Sequence, residues 1–370
     1  MGALVGDITR QPSARTKYGL LFERVGQRFT LLGVHDATLR GAARYLNALQ
    51  VIHPQRRVWQ ERFYQNVPAF IARSQRTTRA MSALRRQADV VLQEGVLFDA
   101  RWNDGGLPTV IYTDYTATLA ARKASLGRSP FNERERAAWI DLERRAFERA
   151  AHICVRGRFV REALIADYRL PPERVTAIGG GVNLPHLPAR VERPLNAAPT
   201  ALFIGKDFYR KGGDLVLRAF AQTRRQLPNA RLLLLTAGPI PTDLPTAGVE
   251  WVAPTWERAA IETLYRRADV FVLPSRLETW GDVLLEAMAY GLPCLGVCGE
   301  AMDEIIAEGV TGAIVPPEDV DALATQLTML LGNYDRRAAW GQAARQRVEA
   351  TYLWAHVVER LAPCLAQALN

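Results

Sequence analysis

The 370 residues, 48% apolar and 23% charged, predict a soluble globular chain of two or more domains and exclude disordered, collagen-like and low-complexity scaffolds. The net charge of +9 is uneven: residues 1–185 hold 29 Lys and Arg against 17 Asp and Glu, and residues 186–370 hold 18 against 21. A basic half beside a nearly neutral one predicts an anionic partner for the first.

No apolar run approaches the roughly 18 residues of a spanning helix, and Asp7 and Arg10 interrupt any signal-peptide core, so a cytoplasmic chain is expected. Four cysteines (Cys154, Cys294, Cys298, Cys364) are too few and scattered for a disulfide framework. Cys294 and Cys298 lack a neighbouring Cys or His to complete a zinc site, so all four are expected as small buried residues. Only four of the 47 basic residues are Lys: Lys17, Lys123, Lys206 and Lys211.

In chain order, residues 3–7 read as a buried strand, 17–27 as a helix and 29–34 as a second strand. From 55 to 87 apolar residues such as Val58, Phe63, Phe70, Met81 and Leu84 recur near every third or fourth position, which predicts a helix. Strands at 89–93, 109–112, 152–155 and 175–178 alternate with helical segments, including a charged one over 132–150. That alternation implies a parallel, right-handed α/β sheet. Pro185, Pro188, Pro194 and Pro199 then mark a linker over 185–199 between a domain at 1–184 and a second at 200–350. Strands restart at 201–205, 231–236, 249–252, 270–273, 293–297 and 313–315, followed by helix over 336–369, with 351–370 free to cross back to the first domain. Two doubly wound domains around a Pro-rich hinge predict a cleft at the carboxyl ends of their strands.

Two segments carry chemistry. Gly205-Lys206-Asp207-Phe208-Tyr209-Arg210-Lys211-Gly212-Gly213 follows a strand and opens a helix, and two of the four lysines fall in it. Glycines there admit a close ligand and the helix N-terminus favours an anion, although an ordinary Gly-rich turn has the same pattern. The second runs from Leu273 to Pro293, with Glu278 on a loop, Gly281 starting a helix, and Glu286 among Leu284, Leu285, Ala287 and Met288. A carboxylate in such company needs a partner. Backbone N–H groups near Gly281, Asp282 and Val283 could cradle phosphate.

Glu278 and Glu286, with seven residues between them, resemble the E-x7-E signature of the retaining GT-B glycosyltransferases of glycosyltransferase family 4. The Gly205–Gly213 loop resembles that family's phosphate loop, Gly181-Val182-Asn183 the close of its first domain, and Gly309-Val310-Thr311-Gly312 its segment after the nucleotide pocket. The resemblance implies a GT-B fold and transfer of a hexose from a nucleotide sugar, UDP favoured and GDP the alternative, to a sugar, lipid-linked sugar or small-molecule hydroxyl. It implies that Glu286 accepts ribose hydroxyls, Glu278 holds the donor sugar, and Lys206, Arg210 and Lys211 neutralise the diphosphate. No Asp-x-Asp motif ends a strand, so no metal or other cofactor is expected; Asp319-Val320-Asp321 reads as a helix cap. Lys206 stands where the family more often has Arg, and Asp282 where an aliphatic residue is common. Asp114, at the end of a middle strand, is the candidate for orienting or deprotonating the acceptor, with a helix cap as the plain alternative.

The same pocket would also serve a GT-B epimerase or hydrolase. Nucleic-acid binding is disfavoured, because no basic motif with interleaved aromatics is present and Glu278 and Glu286 would repel phosphates. Between residues 53 and 86 eight Arg accompany one acid, Glu61. A helix lying on an anionic membrane has that pattern, and so has the solvated face of a packing helix.

Overall fold

The computed structural model describes residues 1–191, 198–255 and 257–369. The chain packs as two compact units, one of Met1–Gly180 together with the segment from Trp354 onward, the other of Gly181–Leu353. Residues 192–197 of the 185–199 linker lie outside the described residues.

The first unit holds strands β1 (Gly2–Leu4), β2 (Val34–Asp36), β3 (Val91–Glu94), β4 (Thr109–Thr113), β5 (His152–Val155) and β6 (Val175–Ala177), all parallel, in the order β2-β1-β3-β4-β5-β6. Chain order reverses between β1 and β3. The second unit holds β7 (Thr200–Ile204), β8 (Arg231–Leu235), β9 (Val249–Val252), β10 (Val270–Val272), β11 (Cys294–Val297) and β12 (Gly312–Val315), also all parallel, in the order β12-β11-β10-β7-β8-β9. Here the reversal lies between β7 and β10. At such reversals the crossovers leave towards opposite faces, which opens a crevice at the strands' carboxyl ends.

Each strand is an apolar run because both faces are covered by helices. In the first unit Leu4, Leu92, Val110, Tyr112 and Cys154 pack against helix Pro12–Arg28 and the last helix, Trp354–Gln367. On the other face Ile111, Ile153 and Val155 meet Phe70, Trp139 and Phe147. Helix Glu133–Arg149 starts on a full capping box between Asn132 and Glu135, which accounts for a charged segment holding its place.

Several sequence expectations move. The apolar run at 29–34 is not the strand: Phe29 and Leu31 pack on the core as irregular chain, and β2 begins at Val34. The helix expected over 55–87 is two, Arg56–Tyr64 and Val67–Ser82, because Asn66 caps the second and Pro68 occupies its first turn. The segment 336–369 likewise divides into Tyr334–Thr351 and Trp354–Gln367, and the break is where the chain leaves the second unit. Helix Gly41–Gln50 has no counterpart in the sequence reading. Cys298 is exposed, against the expectation that all four thiols are buried.

Five of the eight arginines between 53 and 86, Arg56, Arg57, Arg79, Arg85 and Arg86, are exposed, as a solvated face requires, and Arg73 and Arg76 are the exceptions. Arg73 is fully buried, its guanidinium donating to the carbonyls of Tyr64 (2.7 Å) and Phe63 (3.3 Å). Arg76 donates to the Asp36 carbonyl at 2.7 Å and to that of Thr38. These arginines tie Val67–Ser82 to loop carbonyls inside the protein and cannot meet a bilayer.

Candidate active site

The two loops singled out in the sequence follow β7 and β10, the strands that flank the reversal in the second unit. Gly212 has φ 77°, and a Cβ there would stand 2.1 Å from the Pro274 carbonyl oxygen. Only glycine lets the first loop pass so close to the second. Arg276 fastens the same junction. Its backbone N–H donates to the Arg210 carbonyl (2.9 Å), and its guanidinium forks onto Asp214 (2.7 and 2.9 Å) and Glu318 (2.7 and 2.8 Å).

The junction brings Lys211 and Glu278 together: the Lys211 ammonium donates to Glu278 Oε2 in an ion pair of which both side chains are largely buried. The backbone N–H of Glu278 donates to Glu300 Oε2 at 2.6 Å, which fixes the loop from its other side. Arg210 does not point into open space; it donates to the Leu277 carbonyl (3.1 Å) and pairs with Asp207 (3.4 Å). Lys206 is exposed. Gly205 is backed by Lys211, so a side chain at 205 would collide with the lysine stem at 2.7 Å.

Gly281, with φ 91°, is the N-cap of helix Asp282–Ala289 and supplies no side-chain cap. Asp282 is therefore the first helical residue and not the cap, and the N–H groups of Asp282 and Val283 open that helix. Glu286, one turn further on, is 8% exposed. Its Oε2 accepts from Arg258 (3.1 Å) and from the Tyr265 hydroxyl (3.2 Å). Burial raises its carboxyl above the ordinary range, with the Arg258 charge working in the opposite direction. The Trp280 indole N–H, buried between the two glutamates in sequence, has no acceptor among the described residues. Arg258, Tyr265, Arg276 and Trp280 were not singled out in the sequence, and nothing in their local pattern marks them.

The first unit has its own polar pocket, about 270 Å³, at the carboxyl ends of β1, β3 and β4, beside that sheet's reversal. Asp114 lies in it, paired with Lys17 (3.7 Å) and Arg128 (3.8 Å). The helix that follows is capped by Thr116, so Asp114 is not a cap. Glu94, the last residue of β3, lines the same pocket, and burial pushes its carboxyl up to about 7. Glu143 lies beneath, accepting from the Ala117 N–H (2.8 Å) and the Tyr168 hydroxyl; burial pushes it also up to about 7. The signal for Glu94 was present in the sequence, as a carboxylate ending a buried strand before Gly95.

Asp319 caps helix Val320–Gly332 through the Ala322 N–H at 2.8 Å, as its sequence predicts. The structure also gathers His152, Cys154 and Cys364, whose ligand atoms lie within 4.8 Å of one another. Cys364 is 210 positions from Cys154, so spacing could not have shown this. No helix of the described residues is long and apolar enough to cross a membrane.

Residues 190–347 match the family described as Glycosyl transferases group 1. The chain is 30% identical over 301 residues to the D-inositol 3-phosphate glycosyltransferase of Thermobispora bispora, covering 75% of this chain and 68% of that protein. Among solved structures it is similar to sucrose-phosphate synthase from Thermosynechococcus elongatus, with a TM-score of 0.64 at 21% identity over 80% of this chain and 78% of the other. It is also similar to WaaG, a glycosyltransferase involved in lipopolysaccharide biosynthesis, with a TM-score of 0.63 at 17% identity over 99% of each chain. Two parallel, doubly wound units of this kind have the GT-B fold, and the protein is a glycosyltransferase. The chain belongs to the Glycosyl transferases group 1 family.

Proposed function

We propose that the protein is a retaining transferase of glycosyltransferase family 4 that moves a hexose from a nucleoside-diphosphate sugar, UDP favoured and GDP the alternative, to an acceptor hydroxyl. The observation that carries this is the Lys211–Glu278 pair at the β7/β10 reversal, with Glu286 eight positions on, one turn into the adjoining helix. Glu286 accepts the ribose hydroxyls, and Glu278 accepts hydroxyls of the donor sugar. The diphosphate is held by Lys206, Lys211, Arg210 and the N–H groups of Gly281 to Val283; Gly205, whose N–H donates to the Leu235 carbonyl at 2.9 Å, serves by leaving the backbone beside Lys211 open.

In the free protein Lys211 is neutralised by Glu278. As the glycosidic bond breaks, charge grows on the departing diphosphate, and the ammonium exchanges its carboxylate partner for phosphate oxygen. Stabilising charge where it develops is the largest lever such a site has. These fixed cations and amides carry the leaving-group charge, so the transfer is proposed to run without a divalent ion. EDTA should leave the rate unchanged.

Asp114 orients or deprotonates the acceptor hydroxyl. Its pocket mixes carboxylates (Asp114, Glu94) with cations (Lys17, Arg128), a lining that suits a hydroxyl-rich acceptor such as a sugar or polyol. The D-inositol 3-phosphate glycosyltransferase of Thermobispora bispora, whose name places its activity on an inositol phosphate, supports the same class.

A thermal-shift panel of UDP, GDP, ADP and dTDP sugars, followed by product analysis, tests the reading. A donor present at 100 times its Kd raises stability by about 2.7 kcal/mol. Transfer to a polyol or sugar hydroxyl with the anomeric configuration kept is the expected result. Release of free sugar regardless of acceptor would turn the reading to a hydrolase, and recovery of an isomeric nucleotide sugar to an epimerase.

A further inference from the structure

Helix Gly41–Gln50 and the turn after it reverse the usual order of burial. The one buried residue of the helix is Asn47, whereas Tyr45 is 72% exposed, Leu46 58%, Leu49 67% and Ile52 71%. Tyr45, Leu49 and Ile52 follow at intervals of four and three, with Leu46 beside them, so they form one stripe. Trp59 and Tyr64 on the next helix are also exposed. A contiguous apolar patch of this kind on a water-soluble surface marks a place where something docks.

Polar bonds, rather than a core, hold the stripe outward. Asn47 donates to the Phe63 carbonyl (2.9 Å) and accepts from Asn66 (2.9 Å), and the Trp59 indole donates to the Ala48 carbonyl (3.0 Å). These bonds fix which face of the helix turns inward. They would be pointless if the leucines belonged inside.

The charges around the stripe identify its partner. Between residues 36 and 64 there are five arginines and two acids, Asp36 and Glu61, which Arg40 and Arg57 bind at 3.0 and 3.2 Å. Arg44 and Arg56 are exposed on either side of the apolar residues. A second copy of the chain docking by this face would oppose arginines to arginines, because a two-fold interface presents the same patch twice. A bilayer containing anionic lipid meets both demands at once: acyl chains for the stripe, headgroup phosphates for the guanidinium groups.

We infer that residues 41–59 form a reversible docking surface for an anionic lipid bilayer, with Tyr45, Leu46, Leu49 and Ile52 entering the acyl boundary and Arg44 and Arg56 at the phosphate level. The surface differs from the Val67–Ser82 helix, whose Arg73 and Arg76 are committed to internal carbonyls. It does not depend on the donor or acceptor assigned above, and its test uses neither.

The full chain is sedimented with vesicles of phosphatidylcholine alone and of phosphatidylcholine with phosphatidylglycerol, at low and high salt. Capture by the phosphatidylglycerol vesicles at low salt, reduced at high salt, is expected. The triple variant Leu46→Ser, Leu49→Ser, Ile52→Ser, changed only at exposed positions and checked for an unaltered melting temperature, should lose at least tenfold in partitioning. Arg44→Gln with Arg56→Gln should remove the preference for anionic vesicles. Absence of capture by either vesicle, or capture unchanged in the triple variant, would overturn the inference. So would a concentration-dependent dimer that the triple variant abolishes, which would give the stripe to a second copy.

Discussion

In the proposed function one contact, the Lys211–Glu278 ion pair, serves both rest and reaction. Each neutralises the other in a setting from which water is mostly excluded, so removing either leaves a buried charge. Lys211→Ala should therefore lower turnover about a hundredfold, the scale for one transition-state donor, and lower the melting temperature as well. Steady-state rates and a melting curve on the same variant check both, and bound nucleotide should raise the melting temperature of the wild type more than that of the variant. Glu143 gives a separate residue-scale test. Its folded value of about 7 lies above the roughly 4.3 of an unperturbed Glu, so the folded chain binds a proton that the unfolded chain has lost. That contribution is complete below about pH 4.3 and is lost as pH rises through about 7. Glu143→Gln should keep the bonds to Ala117 and Tyr168 in altered form and flatten the fall in stability between pH 5.5 and 8.5. An unchanged slope in denaturant titrations would assign the pH dependence elsewhere.

At the scale of elements, the loops after β7 and β10 depend on a close crossing of two backbones. Gly212→Ala would drive a methyl against the Pro274 carbonyl and hold a non-glycine residue at φ 77°. Strain of this sort costs roughly 1–3 kcal/mol and would displace Lys211 from Glu278. We expect a lower melting temperature and a loss of turnover greater than any change in nucleotide affinity, measurable by calorimetry beside kinetics. This crossing also shows what the sequence could disclose. The alternation of apolar runs with helical periodicity was legible for ten of the twelve strands within a residue or two, because buried parallel strands tolerate little else. The run at 29–34 failed because apolar residues can cover a core as irregular chain. Glu278, Glu286 and the lysine-bearing loop were legible as a local pattern. Arg276, Arg258 and Tyr265 were not, since the partners that place them in the site lie 18 to 67 positions away and depend on how the strands are ordered. Within the arginine run from 53 to 86, Arg73 and Arg76 were illegible for a related reason: a guanidinium that donates to internal carbonyls looks the same in sequence as one in water.

For the molecule as a whole, the first unit is closed by chain from the far end. Helix Trp354–Gln367 packs beneath β1, β3, β4 and β5, and Arg360 donates to the Ile178 carbonyl at 2.7 Å. Cys364 on that helix meets Cys154 on β5, and its thiol is pulled down to about 5 by the hydrogen bond from Cys154 and then by His152. Cys298 alone of the four is exposed. A thiol reagent should modify one cysteine per native chain quickly and the remaining three only on unfolding. Early loss of Cys154 or Cys364, read by peptide mass, would show that the last helix opens. The proposed donor site lies in the second unit, and one titration reaches it directly. UDP and GDP are titrated calorimetrically into the wild type, Glu278→Ala and Glu286→Ala. Loss of a hydrogen bond to a carboxylate is worth about 1.5–3 kcal/mol, roughly ten- to a hundredfold in Kd. One of the two nucleotides should bind the wild type, Glu286→Ala should weaken that binding by the same factor, and Glu278→Ala should leave it nearly unchanged. Equal affinity for the wild type and Glu286→Ala, or binding of neither nucleotide by the wild type, would contradict the proposed donor site.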